Sequence, residues 1–473
     1  MINFVLIFPL LACLILLFTK KKFLNNFFIT LYAIVHFIVS IAANLNIDIF
    51  PFWGNTVLFE INGINKLFLT VLSIVYLAFA FYNNSYMKDE NSNERRLRHY
   101  TYMIMFFIFS MTGAILSTNL GINWVFIEGT TLASAYLIYF HKTKHSIEAA
   151  WKYVFICSIG IALAFVGIIL LTAASGNLES LYYKDLFEHA KEFNPFWLKM
   201  SFVFIMFGIG TKMGLAPVHF WLPDAHAEAP SPVSALLSAA LLNSAFLMII
   251  NVFRITVYAG CDSYARIMLF VMGFLSLFVA AVFVYHISNY KRMLAYSSIE
   301  NMGILSICLA LGGSGVVAAM IHLAGHSFIK AAFFMTSGNI LKIYNTKKIK
   351  NIEGLINVDK RTAWLWILSF LGIAAFPPSM LFISEFLAVK TMIINGNYFL
   401  CALFLFFLTI ILYGLAQSVT GMVFGKRTEI IGNKQLSIFM YLPQILLLFI
   451  AFLLGIYMPD SISNIFLEAS AGL

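Results

Sequence analysis

The chain has 473 residues, of which 61% are hydrophobic and only 11% are charged. A soluble protein carries roughly 25% charged residues, so this composition excludes a soluble globular protein and predicts a chain embedded in the lipid bilayer. The net charge of +9 does not indicate nucleic-acid binding, because the basic residues stand in short loops between apolar runs.

The apolar runs predict an all-α polytopic membrane protein with about 14 transmembrane helices. A transmembrane helix needs about 20 apolar residues, and the loops between the runs are too short to hold a soluble domain. The predicted spans are 2–19, 26–44, 65–85, 100–118, 121–140, 151–174, 198–230, 233–257, 264–287, 297–313, 315–343, 363–395, 398–424 and 437–457.

Alternate loops differ in their content of lysine and arginine. One side carries the basic clusters Lys20–Lys22, Lys88–Arg98, Lys142–Lys144, Lys291–Arg292, Lys342–Arg361 and Lys426–Arg427. The loops of the other side, such as 45–64 and 175–197, hold few basic residues. The positive-inside rule predicts that the basic side faces the cytoplasm and that both termini lie outside, which agrees with an even number of spans.

Two of the predicted spans are broken by glycine and proline. The span 198–230 contains Gly208, Gly210 and Gly214 and then Pro217, and the span 363–395 contains Pro377 and Pro378. Proline opens the helical hydrogen-bond ladder, and in lipid an opened ladder survives only where protein or water satisfies the freed groups. Broken helices of this kind mark ion sites in transporters.

The seventh and twelfth spans are the broken ones, so they cross the membrane in opposite directions. This arrangement predicts an inverted repeat. We expect helices 1–3 in residues 1–99, a first repeat of helices 4–8 in 100–257, a second repeat of helices 9–13 in 264–424, and helix 14 with the tail in 425–473.

Ionisable residues within these spans are candidates for an ion path. Lys212 lies inside an apolar stretch beside the first break, and Glu128 lies in the fifth span among apolar neighbours. A carboxylate at this depth costs about 2.5–3.5 kcal/mol on insertion scales unless it is paired or protonated. We expect Lys212 to be its partner, either as a proton-exchanging pair or as a static ion pair that fixes two helices.

The eleventh span places His322, His326 and Lys330 at successive steps of four residues. Each step turns about 40° past a full helical turn, so the three side chains share one stripe. Two histidines four residues apart can also bind zinc, but the HEXXH pattern requires an acid where Leu323 stands. A proton relay fits the stripe better, because imidazole both accepts and donates a proton near neutral pH; histidines that only pack remain an alternative.

Further candidates carry a less specific signal. Glu385 follows the second break, and Lys390 lies five residues later, off the ideal face for a direct pair. Glu300 and Lys152 lie near predicted helix starts and could serve a relay or snorkel to the surface. The loop of the first break adds polar side chains that could line an access funnel or cap the next helices: His219, Asp224, His226 and Glu228.

No cofactor is expected in this chain. The five cysteines are scattered, with no CxxC pair or Cys/His cluster, which argues against zinc, iron–sulfur and haem sites. No glycine-rich nucleotide-binding run occurs in the sequence either.

Three motifs resemble those of one membrane-protein family. LAPVHFWLPDAHAEAPSPVSALL, NYKRMLAYSSIENMGIL and HLAGHSFIKAAFFMTSGN are similar to the antiporter-like subunits of respiratory complex I, of Mrp-type cation/proton antiporters and of group 4 membrane-bound hydrogenases. Within this family, HAEAPSPVSALLSAALLN and AYSSIENMGIL most resemble the hydrogenase-4 component F group of formate hydrogenlyase-type complexes. The resemblance covers about residues 60–430.

The resemblance implies fourteen helices, broken helices seven and twelve, and a polar axis along the membrane midplane. Glu128 matches the family's fifth-helix glutamate and Lys212 its seventh-helix lysine. His322, His326 and Lys330 fall on the eleventh-helix motif, and Glu385 on the twelfth-helix acid or lysine. The chain departs from pumping complex I subunits at Asn243, where a lysine is usual. Asparagine holds no proton at neutral pH, so a weaker or water-mediated link between the half-channels is expected.

The function expected from residues and resemblance together is translocation of protons, or of sodium, along a buried Glu/Lys/His axis. The chain would be a membrane subunit of a hydrogenase-like or complex I-like oxidoreductase in a bacterial cytoplasmic membrane. Its partners would be other membrane subunits and a peripheral hydrogenase or dehydrogenase arm that holds the nickel–iron and iron–sulfur centres. The alternatives are a subunit of a multisubunit cation/proton antiporter and a scaffold that no longer pumps.

Overall fold

The computed structural model describes residues 2–18, 22–47, 57–89, 93–176, 178–425 and 436–472. Twenty α-helices occupy the described residues: α1 Ile2–Phe18, α2 Lys22–Asn44, α3 Gly63–Tyr86, α4 Glu94–Leu116, α5 Leu120–Ile138, α6 Lys144–Ala174, α7 Tyr183–Glu188, α8 Pro195–Met213, α9 Leu222–Glu228, α10 Ser231–Leu236, α11 Leu242–Tyr258, α12 Asp262–Val284, α13 Tyr290–Leu311, α14 Ser314–Tyr344, α15 Leu355–Val358, α16 Lys360–Ile373, α17 Met380–Ile394, α18 Tyr398–Phe424, α19 Leu442–Ile456 and α20 Asp460–Ser470. The all-helical class predicted from the apolar runs is confirmed.

A helix, or a broken pair of helices, lies at each of the fourteen predicted spans. Ten helices of the described chain are long and apolar enough to cross a membrane, counting Ser231–Tyr258 as one. These ten establish a multi-pass membrane protein, whereas the count of fourteen crossings stays a prediction. Two basic clusters used to predict the orientation, Lys20–Lys22 and Lys426–Arg427, lie wholly or largely outside the described residues.

The helix boundaries differ from the prediction mainly where polar residues extend a helix beyond lipid. Helix α6 begins at Lys144, seven residues before the predicted start, because Thr143 accepts a hydrogen bond from the backbone N–H of Ser146 and caps the helix. Helices α7, α15 and α20 were not predicted. All three are short, and α20 forms an angle of 88° with α19 and packs on α3 and α14.

Both predicted breaks are present. Helix α8 ends at Met213, where Gly214 adopts the left-handed conformation with φ 79°, and the chain resumes helical structure at Leu222. The second break separates Ile373 from Met380. Glycine tolerates a positive φ at no steric cost, which explains the end of α8 after an apolar run that would otherwise continue the helix.

Helices α10–α11, α13 and α14 form the centre of the bundle, with almost all their residues buried. Helices α6, α18 and α19 lie at the periphery and expose large apolar residues such as Phe155, Phe406 and Phe449. In a membrane such residues face lipid or neighbouring subunits.

The same order of packing occurs twice. Helix α4 packs on α5, α5 on α6 and α6 on α8; correspondingly, α12 packs on α13, α13 on α14 and α14 on α17. Glycine permits close contact in each set, between α6 and α8 in the first and between α12 and α13 in the second. A Cβ at Gly208 would lie 2.5 Å from the carbonyl oxygen of Gly160, and one at Gly303 would lie 2.7 Å from that of Gly273.

A small backbone structure also occurs twice, at the starts of α5 and α13. Asn119 caps α5 and forms an antiparallel bridge with Tyr182, beyond the end of α6. Asn289 caps α13 and bridges Lys348, beyond the end of α14. The two bridges tie equivalent loops together, one on the side with few basic residues and one on the basic side.

Candidate ion path through the bundle

Lys212 is fully buried near the end of α8. Its Nζ donates a hydrogen bond of 2.9 Å to the hydroxyl of Tyr153 and lies 4.9 Å from the centre of that ring. The Tyr153 hydroxyl also shares a bond of 2.5 Å with Ser134 on α5. An ammonium group in lipid requires such partners, because an isolated charge there is expensive.

Glu128 lies close to this group, but it does not pair with Lys212 directly. No ion pair between them occurs among the described contacts, so the direct pair predicted from the sequence is wrong. The carboxylate accepts a bond of 3.0 Å from Thr131, whose hydroxyl lies close to that of Tyr153. Glu128 and Lys212 are therefore separated by hydroxyl groups, across which a proton could pass by short steps.

Glu128 is only partly buried, and its helix neighbours face outward. Val125 and Leu132, which flank it on the surface of α5, are 57% and 61% exposed. The first end of the candidate path therefore lies near the lateral face of the bundle.

Two histidines of the first break are buried without apparent partners. His226 is fully buried and stacks on Phe334, with ring centres 4.8 Å apart. Neither of its nitrogens, nor Nδ1 of His219, has a hydrogen-bond partner among the described residues. Buried polar atoms are rarely left unsatisfied, so these rings indicate positions for water.

The acidic residues of the same break form ion pairs on the basic side. Asp224 contacts Lys152 at 3.2 Å and Arg292 more closely, and Glu228 contacts Lys347 at 3.1 Å. Lys152 also pairs with Glu148 at 2.6 Å and is half exposed. No side-chain hydrogen bond caps the start of α9 or of α10, so helix capping, one of the two expectations for this cluster, is not found.

Several positive charges lie close together on the basic side, near His141. Burial, together with the positive charges of Lys291, Lys347 and Arg96, lowers the pKa of His141 to about 4. Lys291 is fully buried and donates a bond of 2.6 Å to the carbonyl oxygen of Ala229, at the end of α9. Lys291 thus satisfies backbone freed by the break, a role that the sequence did not indicate.

Asn243 connects the two halves of the molecule. Its Nδ2 donates to Ser327 Oγ on α14 at 2.7 Å, while its Oδ1 has no partner among the described residues. One turn earlier the chain forms a π-helical segment from Leu237 to Leu241, in which Ser238 bonds to Ser298 at 2.9 Å. Such π-helical segments occur frequently at functional sites.

The stripe predicted on α14 is present, and all three of its side chains are fully buried. Lys330 Nζ donates a bond of 2.8 Å to the carbonyl oxygen of Leu294 on α13. His322 contacts Ser384 at 2.9 Å and Asn301 at 3.1 Å, one residue on each ring nitrogen. His326 lies between them and has no partner on either nitrogen within the described part of the chain.

Buried histidines in this protein are of two kinds. His36 is fully buried and bonds to Ser73 at 2.6 Å and Thr112 at 2.9 Å, so its ring is satisfied by fixed hydroxyls. His322 is likewise bonded on both nitrogens, whereas His226 and His326 lack such partners among the described residues. An imidazole whose nitrogens meet only water can rotate or exchange protons more freely than one held on both sides.

Glu300 and Glu385 line one cavity of about 120 Å³ between α16 and α18. Glu300 is the eleventh residue of α13 and only 6% exposed, so the prediction that it could snorkel from a helix start is wrong. It accepts a bond of 3.2 Å from Ser297. Glu385 is partly buried beside Phe382 and Phe386, which are 38% and 60% exposed.

Lys390 is exposed, and it forms no ion pair with Glu385 among the described contacts. The geometry therefore gives no support to Lys390 as a member of the candidate ion path. The second end of the candidate path is thus formed by the buried Glu300 and the partly buried Glu385, which share one cavity.

Sequence reasoning missed the hydroxyl and amide groups that hold the ionisable residues: Tyr153, Thr131, Ser134, Asn301, Ser327 and Ser384. Their residue types are common in transmembrane helices, so no sequence signal distinguishes them from helix-packing residues. No group of three or more histidine, cysteine or acidic side chains able to hold a metal ion is found in the described ranges.

The helical fold and the buried ionisable residues described above together define the class of protein. It is a multi-pass membrane protein with ionisable groups buried beside broken helices. Residues 117–412 match the family described as "NADH:quinone oxidoreductase/Mrp antiporter, TM", and the chain belongs to this family. It is 32% identical to the hydrogenase-4 component F homolog of Methylacidiphilum infernorum, over 98% of both chains. The chain spans about half the length (51%) of another relative, hydrogenase-4 component B of Escherichia coli, at 27% identity.

Two solved structures share the fold over the whole chain. One belongs to the membrane-bound sulfane sulfur reductase, an archaeal respiratory membrane complex, with a TM-score of 0.89 at 22% identity and 97% of that chain covered. The other belongs to the Mrp complex from Dietzia sp. DQ12-45-1b, with a TM-score of 0.87 at 16% identity and 96% covered. The resemblance to antiporter-like subunits inferred from the motifs is confirmed.

Proposed function

We propose that this antiporter-like subunit moves protons along the axis Glu128, Lys212, Lys330, His326, His322 and Glu385, driven by redox chemistry in partner subunits. The axis has two sections in series. The first section comprises Glu128, Tyr153 and Lys212. The second section comprises Lys330, His326, His322 and the two carboxylates of one cavity, Glu300 and Glu385. Asn243 and Ser327 join them.

The observation that carries this proposal is the complete burial of Lys212 and Lys330 inside the helical bundle. Each lysine has one neutral hydrogen-bond partner and no ion pair within the described contacts. Such an arrangement costs stability and favours a lysine that can lose its proton when a neighbouring charge changes. A static structural ion pair would instead place a carboxylate directly against the ammonium group.

The positions of the carboxylates at the two ends of the axis favour partner subunits on both lateral faces of the bundle. Glu128 and the pair Glu300 and Glu385 approach the faces of the bundle where large apolar side chains are exposed. Carboxylates at this depth are unfavourable against lipid. Neighbouring membrane subunits would cover them, and ionisation in one subunit would then shift the charges of the next.

The repeated packing and the repeated bridges support the inverted repeat of residues 100–257 and 264–424, flanked by 1–99 and 425–473. In this arrangement Glu128 on α5 corresponds to Glu300 on α13. We further propose that the basic side faces the cytoplasm of a bacterial cell, with both termini outside. A peripheral hydrogenase or dehydrogenase arm with the nickel–iron and iron–sulfur centres would dock on the cytoplasmic side.

The second candidate is a cation/proton antiporter subunit driven by the gradient itself. The likeness to the Mrp complex favours it, and the likeness to a hydrogenase-4 component F homolog over nearly the whole chain favours the redox-driven function. Genes for hydrogenase or formate dehydrogenase next to this one would support redox coupling, whereas genes for small antiporter subunits would support exchange. A scaffold without pumping remains the third candidate, because Asn243 replaces a proton-carrying lysine.

Lys212→Ala tests the proposal. Proton uptake is measured in inverted membrane vesicles energised by the redox substrates, with assembly checked by co-purification of the partners. We expect redox turnover to persist while proton uptake collapses. Lys199→Ala is the matched control, because Lys199 lies on the same helix but is exposed. Full proton uptake in assembled Lys212→Ala would contradict the proposal and favour the scaffold.

A further inference from the structure

We propose that a cavity at the basic ends of α2, α3 and α4, here called the asparagine cavity, binds the head group of an anionic phospholipid that carries hydroxyl groups. Phosphatidylglycerol is the lipid whose chemistry matches the cavity. The inference goes beyond proton movement, because the residues concerned lie outside the candidate ion path and their role does not depend on whether the chain pumps.

The asparagine cavity has a volume of about 370 Å³, which falls within the range of about 300–1,000 Å³ that is usual for sites of small ligands. It lies where the start of α2, the end of α3 and the start of α4 meet. The residues that line it are mostly neutral and polar: Asn25, Asn26, Asn83, Asn84, Tyr100 and Thr101, with Lys88 and the apolar Phe23, Met87 and Leu97.

Asn84 has a partner on only one side of its carboxamide. Its Nδ2 donates a hydrogen bond of 2.8 Å to the hydroxyl of Thr30, whereas its buried Oδ1 has no partner among the described residues. A buried acceptor without a partner lowers stability. A hydroxyl group of a ligand in the cavity would donate to this oxygen.

Two further asparagines present donors at the wall of the cavity. Asn83 and Asn25 are only 1% and 7% exposed. The Oδ1 of Asn83 accepts a hydrogen bond of 2.7 Å from the hydroxyl of Tyr100, which leaves its amide N–H groups for the oxygens of a ligand. Carboxamides that both donate and accept suit a ligand with several hydroxyl groups better than a purely ionic one.

The charge of the cavity favours one phosphodiester group. Lys88 is exposed and is the one charged residue among the described residues that line the cavity. Basic pockets between transmembrane helices are typical sites for anionic lipid head groups. An ethanolamine or choline head group would bring a second, positive charge, for which the described lining offers no carboxylate. A glycerol head group brings hydroxyl groups instead.

The mouth of the asparagine cavity is apolar and exposed. Phe23 lines the cavity and is 75% exposed. Its ring stacks on that of Phe27, which is 44% exposed, with ring centres 6.1 Å apart. Exposed apolar patches of this kind mark contacts with membranes. An acyl chain would extend along these two rings, which favours a phospholipid over a free phosphate ester.

The test uses a phosphatidylglycerol that carries a photoactivatable diazirine on its acyl chain, close to the ester, so that the head group is unchanged. The purified, assembled complex is reconstituted in phosphatidylcholine vesicles that contain a trace of this lipid. After irradiation, peptide mapping locates the attached lipid. We expect attachment at the start of α2, near Phe23 and Phe27.

Two variants remove the proposed contacts, and each has a matched control. Asn84→Leu is compared with Asn44→Leu, because Asn44 also donates to a threonine hydroxyl, at 2.7 Å, and also has an Oδ1 without a partner among the described residues, but does not line the cavity. Lys88→Gln is compared with Lys144→Gln, since Lys144 is exposed on the basic side outside the cavity.

We expect attachment at the start of α2 to fall about fivefold or more in Asn84→Leu and in Lys88→Gln and to stay unchanged in both controls. Excess unlabelled phosphatidylglycerol should displace the labelled lipid, whereas phosphatidylethanolamine should displace it poorly. Absence of attachment at this place, or attachment that neither variant lowers, would overturn the inference.

Competition with soluble compounds separates the lipid from other phosphate ligands. Glycerol 1-phosphate should displace the labelled lipid more effectively than inorganic phosphate does. Equal displacement by the two compounds would mean that the asparagines do not recognise hydroxyl groups, and equal displacement by phosphatidylethanolamine and phosphatidylglycerol would indicate unspecific lipid contact. Either result would contradict a site for a glycerol head group.

Discussion

The two sections of the axis hold a buried lysine in different ways. Lys212 donates to a tyrosine hydroxyl that is itself bonded to a serine, whereas Lys330 donates to a backbone carbonyl. A hydroxyl can both accept and donate a proton, but a carbonyl only accepts. In the proposed path, the first section would therefore pass a proton through its lysine's partner, whereas the second would use its histidines and carboxylates.

The two sections also differ in the ionisable groups that accompany each lysine. The first section has one carboxylate, Glu128, separated from its lysine by hydroxyl groups. The second has two carboxylates on one cavity and two histidines on the lysine's own helix. The lysine of one section is thus bonded to a hydroxyl group, whereas that of the other shares its helix with two histidines, so substitutions of the two lysines' surroundings should have unequal effects.

Lys330→Met should have the largest effect. It removes the fully buried cation of the second section, which lies one turn from His326 on α14, and loss of a proton-carrying group lowers rates by about 10²-fold or more. Proton uptake per electron in inverted vesicles measures the loss. Lys342→Met, on the same helix but at the basic side, is the control, and equal uptake in the two variants would contradict the assignment.

Tyr153→Phe should have the next largest effect, because it removes the hydroxyl between Lys212 and Ser134 while keeping the ring. We expect uptake to fall by about tenfold with unchanged redox turnover. Tyr290→Phe provides the control, since Tyr290 is equally buried but bonds to backbone carbonyls outside the axis. Unaltered uptake in Tyr153→Phe would mean that the hydroxyl only fixes the lysine's position.

Glu300→Gln and Glu385→Gln should each have a moderate effect, about threefold, because the two carboxylates share one cavity. The double variant should lose far more than the product of the single losses. Uptake in the three variants measures this coupling. If the losses simply multiply, the two groups act independently, and the shared cavity has no functional meaning.

His36→Leu should have the smallest effect on uptake. It removes two buried hydrogen bonds and should lower stability by about 1–3 kcal/mol, without touching the axis. His326→Leu should show the reverse, with little change in stability and reduced uptake. Thermal denaturation of the purified complex and uptake assays together distinguish the two kinds of histidine.

Much of the fold could be predicted from the sequence, because in lipid each apolar run must satisfy its backbone internally as a helix. The breaks near Pro217 and Pro377 were predicted because proline opens the helical hydrogen-bond ladder. The unpredicted helix α20 is amphipathic and short, so no apolar run marks it. The family was recognised from the motifs around Lys212, Glu300 and His326.

The site was predictable only for residues that are unusual in lipid. Lys212, Lys330, His322 and His326 are conspicuous in an apolar stretch, and all are buried as expected. Their partners are not conspicuous, because hydroxyl residues are common in such helices, and helix rotation decides which of them face each other. This is why Tyr153 was missed and why a direct pair between Glu128 and Lys212 was predicted instead.

The central claim is that the two sections operate in series, and a double variant tests it most directly. Proton uptake per electron is measured for Lys212→Met, Lys330→Met and the combination of both, in assembled complexes with equal redox turnover. The account predicts that each single variant loses most of the uptake and that the double variant loses no more. If each single variant retained about half of the uptake and only the double variant lost it, the sections would be parallel paths, contrary to the account.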